Sequence, residues 1–147
     1  MIGQRSEALS QRGNIHPYGC YFMSIIMMCW EYSKDPAMSV ESQEIIKAYD
    51  TLVKADAMGD DCYIKNAQKC VDFWGKDKLL FTGKKPPNYK LTGRETSIEL
   101  WRLERDPPKK WWYHFIYKSQ YSEYDPWVLS QTRAKGVLDS KRIFKIL

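Results

Sequence analysis

The sequence predicts an α+β domain in which helices come first and an antiparallel sheet follows. Three observations carry this expectation. The stretch from Tyr21 to Trp30 is apolar nearly all round, residues 45–57 repeat apolar side chains at helical spacing, and the second half switches to period-two alternation. Helices and strands segregated along a chain give α+β and not alternating α/β architecture. At 147 residues the chain fits a single domain, 1–147, with no internal repeat. A domain of that length buries roughly two thirds of its unfolded surface.

Residues 1–19 are polar and broken by Gly13, Pro17 and Gly19, as a leading loop is. From Tyr21 to Tyr32 the methionine content and the length favour a buried central helix over a strand, with Asp35-Pro36 ending it. Ser39 to Gln43 offers the next helix start, followed by Ile45, Ile46, Tyr49, Leu52, Val53 and Ala57 in an i, i+3/i+4 rhythm. Tyr63, Ile64, Ala67, Cys70, Val71 and Trp74 predict a shorter third helix ended by Gly75. Leu79-Leu80-Phe81 then leads into a loop rich in glycine, proline and lysine, from Gly83 to Gly93. Thr96 to Leu103 alternates as a half-buried strand, and Trp111 to Tyr117 is an aromatic run with high strand preference. Val128-Leu129 and Arg142 to Ile146 are further strand candidates.

A composition that is 44% hydrophobic and 14% aromatic excludes a disordered segment. The net charge of +5 is spread along the chain as a solvated surface. No zinc-finger spacing, RNP-like motif or long basic helix suggests specific nucleic-acid binding. The cysteines at 20, 29, 62 and 70 form no CxxC pair and only two histidines accompany them, so neither a structural zinc nor another cofactor is expected. Met1 to Glu7 contains no apolar signal core, and the run from Tyr21 to Trp30 is about half of what a bilayer span needs. A cytoplasmic protein with reduced thiols and no membrane span is the expectation.

Cys20 is the most informative residue. Gly19 permits a tight turn, and Cys20 then opens a buried helix, where free N–H groups and the helix dipole favour a thiolate. The bland alternative is a structural cysteine that happens to open a helix. A nucleophilic cysteine needs a base, and only His16 and His114 are available. His114 lies in the aromatic strand, where a histidine also serves as a core residue. A hairpin pairing Phe115–Lys118 with Tyr121–Tyr124 through a turn at Ser119-Gln120 would put Asp125 directly opposite His114. There its carboxylate could accept the Nδ1–H and fix the tautomer. Asp125 is equally a turn residue before Pro126.

The segment from Gln11 to Cys20 that precedes the buried helix, together with His114-Phe115-Ile116 and Asp125-Pro126 downstream, resembles the bacteriocin-processing-like peptidases of the papain superfamily. The order Cys, His, Asp fits that superfamily too. The resemblance implies a papain-like fold and a Cys20–His114–Asp125 triad. It also implies a Gln11 side chain that joins the Cys20 backbone N–H in an oxyanion hole, with Gln4 and Asn14 as alternatives. The implied activity is hydrolysis of a peptide, isopeptide or related amide through a thioester, on a peptide, protein or peptidoglycan-derived substrate. Tyr21-Phe22 stand where this family more usually has small or acidic residues, and the interval from His114 to Asp125 is short for it. The ending from Lys141 to Ile146 is similar to phage-associated relatives. Two rivals accompany this reading: a catalytically weak or inactive binding or inhibitory module on the same fold, phage- or plasmid-associated, and a basic nucleic-acid-associated protein.

Overall fold

The computed structural model describes residues 3–4, 6–33, 38, 40–105, 110–127 and 131–147. Helices α1 (Ile15–Tyr18), α2 (Cys20–Tyr32), α3 (Ser42–Lys54) and α4 (Ala67–Trp74) come first. They are followed by β1 (Leu79–Lys85), β2 (Glu95–Arg105), β3 (Lys110–Lys118), β4 (Glu123–Tyr124), the short α5 (Gln131–Lys135) and β5 (Val137–Ile146). The strands form one five-stranded sheet in the order β1-β5-β2-β3-β4, antiparallel at every pairing. The α+β class is therefore as expected. The last strand inserts between β1 and β2, which buries Ile143 and Phe144 from both neighbours.

Helix α2 is apolar on every side because it has neighbours on every side. Phe22, Met23, Ile25, Ile26 and Met28 are buried with Ile45 and Leu52 of α3, Cys70 and Val71 of α4, and Ile98, Tyr117 and Phe144 of the sheet. Its far end carries Glu31, whose carboxylate accepts hydroxyl hydrogen bonds from Tyr117, from Ser119 at 3.3 Å and from Ser122 at 2.8 Å. Burial and the neighbouring Glu31 both push the Tyr117 hydroxyl far above the ordinary tyrosine range. The network satisfies a carboxylate that burial would otherwise penalise, and it fastens the turn after β3 to the central helix.

Several boundaries differ from the sequence reading. A 3-10 turn at Glu7–Leu9 and α1 occupy the leading segment read as loop. Helix α4 starts at Ala67 because Asn66 caps it, its side chain accepting the Lys69 N–H at 3.0 Å, while Ile64 pairs with Met58 in an isolated bridge. Strand β1 continues through Gly83-Lys84-Lys85, which read as loop, because β5 offers it a ladder. The Asp35-Pro36 stop and the Val128-Leu129 strand candidate lie outside the described residues. Among the described residues, no helix is long and apolar enough to cross a membrane.

Gly19 joins α1 to α2, and its role is steric. A Cβ there would come within 2.5 Å of the Ile15 carbonyl oxygen. Because the obstacle is backbone, Gly19→Ala is expected to cost about 1–3 kcal/mol, read as a lower urea midpoint.

Candidate active site

The first intrahelical bond of α2 runs from the Met23 N–H to the Gly19 carbonyl at 2.8 Å. The amides of Cys20, Tyr21 and Phe22 are therefore first-turn donors with no acceptor inside the helix. Cys20 sits among them at the positive end of a 13-residue helix, on the wall of a cleft of about 540 Å³. Tyr21 lines the same cleft, stacked on Phe115 with ring centroids 4.3 Å apart, whereas Phe22 is buried in the core beside Tyr49. Of the two bulky residues after the cysteine, only Tyr21 shapes the cleft.

His114 is buried in β3, paired with Trp101 of β2. Its Nε2 lies 2.5 Å from Asp125 Oδ1, and Cys20 is near enough to help raise the pKa of the same ring. The three residues singled out in the sequence thus come together, although not by the register read there. Tyr117 pairs with Tyr124 and Lys118 with Glu123, two residues away from the expected pairing. The turn spans Ser119 to Ser122 and is closed by the Ser119 N–H donating to the Ser122 carbonyl at 2.9 Å. A shift of two keeps every side chain on its face, so Asp125 becomes a diagonal neighbour of His114 and still reaches it. The ring nitrogens are also exchanged relative to the expectation. Asp125 takes Nε2, which leaves Nδ1 for the thiol.

Asp125 is at once a turn residue and the imidazole's partner. Its Oδ1 accepts the Trp127 N–H at 2.9 Å, an Asx turn that holds the carboxylate in place. The Trp127 ring stands edge-on to His114 at 5.7 Å, covering the pair. Burial by itself would lower the imidazole pKa. The hydrogen bonds and charges of Asp125 and Cys20 outweigh it and raise His114 to about 9.

The other cysteines behave differently. Burial pushes Cys29 far up and takes Cys70 to about 12. Cys62, which lines the cleft near Cys20, is raised to about 12 by burial and by the neighbouring Asp61, Cys20 and Asp60. These three remain thiols near neutral pH.

Gln11, the expected oxyanion donor, is exposed and does not line the cleft. The adjacent Arg12 is tied to Asp50 of α3 by two 2.7 Å hydrogen bonds, which anchors that segment to α3. Asn14 donates to the Asp60 carbonyl at 2.9 Å. Gln4 is buried, and its backbone N–H donates to the Pro126 carbonyl at 2.8 Å, which ties the leading segment to the Asp125–Trp127 turn. No local signal marks Gln4, because only tertiary structure brings it there. The side chain of His16 lies outside the described residues.

A cysteine at a helix N-terminus, a buried imidazole and a carboxylate behind it are the residue types that a thiol nucleophile with an oriented base requires. The chain matches the family described as "Protein of unknown function, DUF261" over residues 2–146 and belongs to that family. No curated protein and no solved structure matches it.

Proposed function

We propose that the protein is a papain-like cysteine hydrolase that cleaves a peptide, isopeptide or related amide through a thioester acyl-enzyme. The observation that carries this reading is the His114–Asp125 contact at Nε2, with Cys20 opening α2 on the cleft wall and contributing to the raised imidazole pKa. Cys20 Sγ, its proton held by His114, attacks the scissile carbonyl carbon. First-turn amides of α2 receive the oxyanion. Collapse of the tetrahedral adduct breaks the C–N bond, and the His114 imidazolium protonates the departing amine. Water then attacks the thioester while His114 takes its proton, which releases the acid and restores the thiol. Asp125 fixes the ring, and Trp127 keeps water from that hydrogen bond. The same reading favours a cytoplasmic enzyme acting on a peptide, a protein or a peptidoglycan fragment, without a cofactor.

The test is release of new amino groups from peptide and muropeptide mixtures by the wild type and by Cys20→Ser. Turnover that Cys20→Ser abolishes is the expected result. Saturable binding of the same peptides by both proteins, with no turnover in either, would replace the hydrolase with a binding module on this fold.

A further inference from the structure

The sheet wall of the Cys20 cleft carries two cations that the triad does not use. Lys84 of β1 and Arg142 of β5 are directly opposed in the antiparallel ladder, and both line the cleft. Like charges directly opposite each other destabilise a sheet. Among the described residues, neither forms an ion pair with a carboxylate. Arg142 is partly buried, with its guanidinium 4.9 Å from the centre of the Phe115 ring and one N–H donating to Ser140 Oγ at 2.6 Å. That leaves most of its five donors unused beside the nucleophile. Of the other charged residues lining the cleft, Lys65 is taken by Asp56 at 2.6 Å, and Asp61 accepts the Tyr63 N–H at 3.0 Å.

A backbone irregularity aims Lys84 at this place. Phe81 pairs with Phe144 and Gly83 with Ile143, so Thr82 is an extra residue in β1, and Gly83 has φ 129°. Side chains alternate along a strand, so Phe81 and Lys84, three apart, would lie on opposite faces of a regular one. The bulge reverses the alternation, and both line the cleft. The positive φ at Gly83 is one that other residues rarely adopt. Glycine, which adopts this φ freely, is thus used to bring a second cation next to one that has no direct ion pair.

We infer that Lys84 and Arg142 form an anion subsite for a carboxylate carried by the amide substrate close to its scissile bond, as in an acidic peptide. The inference rests on the hydrolase reading and names the substrate class for it. The guanidinium offers a carboxylate two parallel donors, and Lys84 adds a point charge. Occupation by that carboxylate relieves the repulsion between the two cations, so binding energy is available beside the thiol.

The test compares alkylation of Cys20 by iodoacetate and by iodoacetamide, read by peptide mass spectrometry on the full chain at low ionic strength. The ratio of the two rates divides out the thiolate content of Cys20. The subsite is therefore read independently of nucleophilicity. Lys84→Gln and Arg142→Gln are each expected to lower the iodoacetate-to-iodoacetamide ratio about fivefold, the worth of one nearby unit charge in water-like surroundings. Added salt is expected to lower the wild-type ratio in the same direction. Lys84 is exposed, so its variant keeps the fold even where Arg142→Gln does not. An unchanged ratio in Lys84→Gln overturns the subsite, whatever the absolute rates. Slow iodoacetamide labelling of Cys20 with a ratio that still falls overturns the hydrolase reading and leaves the subsite standing.

Discussion

His114→Ala is expected to slow alkylation of Cys20 by iodoacetamide at pH 7 about tenfold or more, and to reduce any amide turnover by about 10²–10⁴. An unassisted thiol is only a few per cent thiolate at that pH, so removing the facing imidazole takes away the means of ionising it. Turnover falls further than alkylation because His114 has a second duty. The amine leaves only when protonated, and alkylation has no such step. Asp125→Asn is expected to lose less than His114→Ala in both assays. An asparagine Oδ1 still accepts from Nε2–H and from the Trp127 N–H, whose bond to Asp125 measures 2.9 Å. A purely structural role for His114 predicts the opposite pattern, with stability lost and the per-cysteine labelling order unchanged. Labelling of Cys29, Cys62 and Cys70 serves as the internal control, since their burial holds them as thiols. Equal labelling of Cys20 in the wild type and in His114→Ala would end the catalytic reading.

The three candidate residues were legible because each carries a local mark: a Gly-Cys step before an apolar run, a histidine in an aromatic strand, and an Asp-Pro pair within hairpin reach of that histidine. Their connection was not legible. The sequence suggests a two-residue turn after Lys118, but the structure makes a longer one, because Ser119 and Ser122 both hydrogen-bond Glu31 on α2. Ser119 Oγ also accepts the N–H groups of Tyr121 and Ser122 at 3.1 and 3.0 Å, so the loop is capped from within as well. A partner 88 residues away in sequence cannot be read from turn chemistry. The His114–Asp125 contact survives that difference because the register moved by two and not by one.

The sheet wall of the cleft was hidden for a related reason. Gly83-Lys84-Lys85 has loop composition, and becomes strand only because β5 returns between β1 and β2. Strand order is a property of the whole topology. From sequence, Arg142 belongs to a terminal strand candidate and Lys84 to a basic loop, and nothing brings them face to face. Gln4 and Gln11 make the same point. The family resemblance favoured Gln11, whereas a backbone hydrogen bond to Pro126 ties Gln4 to the turn that carries Asp125.

Stability is expected to depend on pH through His114 with a sign opposite to that of an ordinary buried histidine. Burial alone would depress the imidazole and make the fold weaker in acid. In this domain Asp125 and Cys20 reverse the balance, and the folded value is about 9 against roughly 6.5 in an unfolded chain. A group raised on folding contributes stability that is complete below its unfolded value and disappears as pH rises through its folded value. The contribution is therefore fully present below about pH 6.5 and lost between there and about pH 9. Its size follows from the displacement, on the order of 3 kcal/mol, which is large beside the 5–15 kcal/mol typical of a domain. Urea unfolding of the wild type at pH 6 and pH 9.5 measures it directly. His114→Gln removes the titrating group, and its two midpoints are expected to differ by much less than those of the wild type. Asp125→Asn removes the hydrogen-bonded anion behind the ring, and its loss of stability with rising pH should end earlier and be smaller. A wild type that gains stability from pH 6 to pH 9.5 would mean that burial wins, that His114 is neutral in the fold, and that Cys20 faces an imidazole and not an imidazolium.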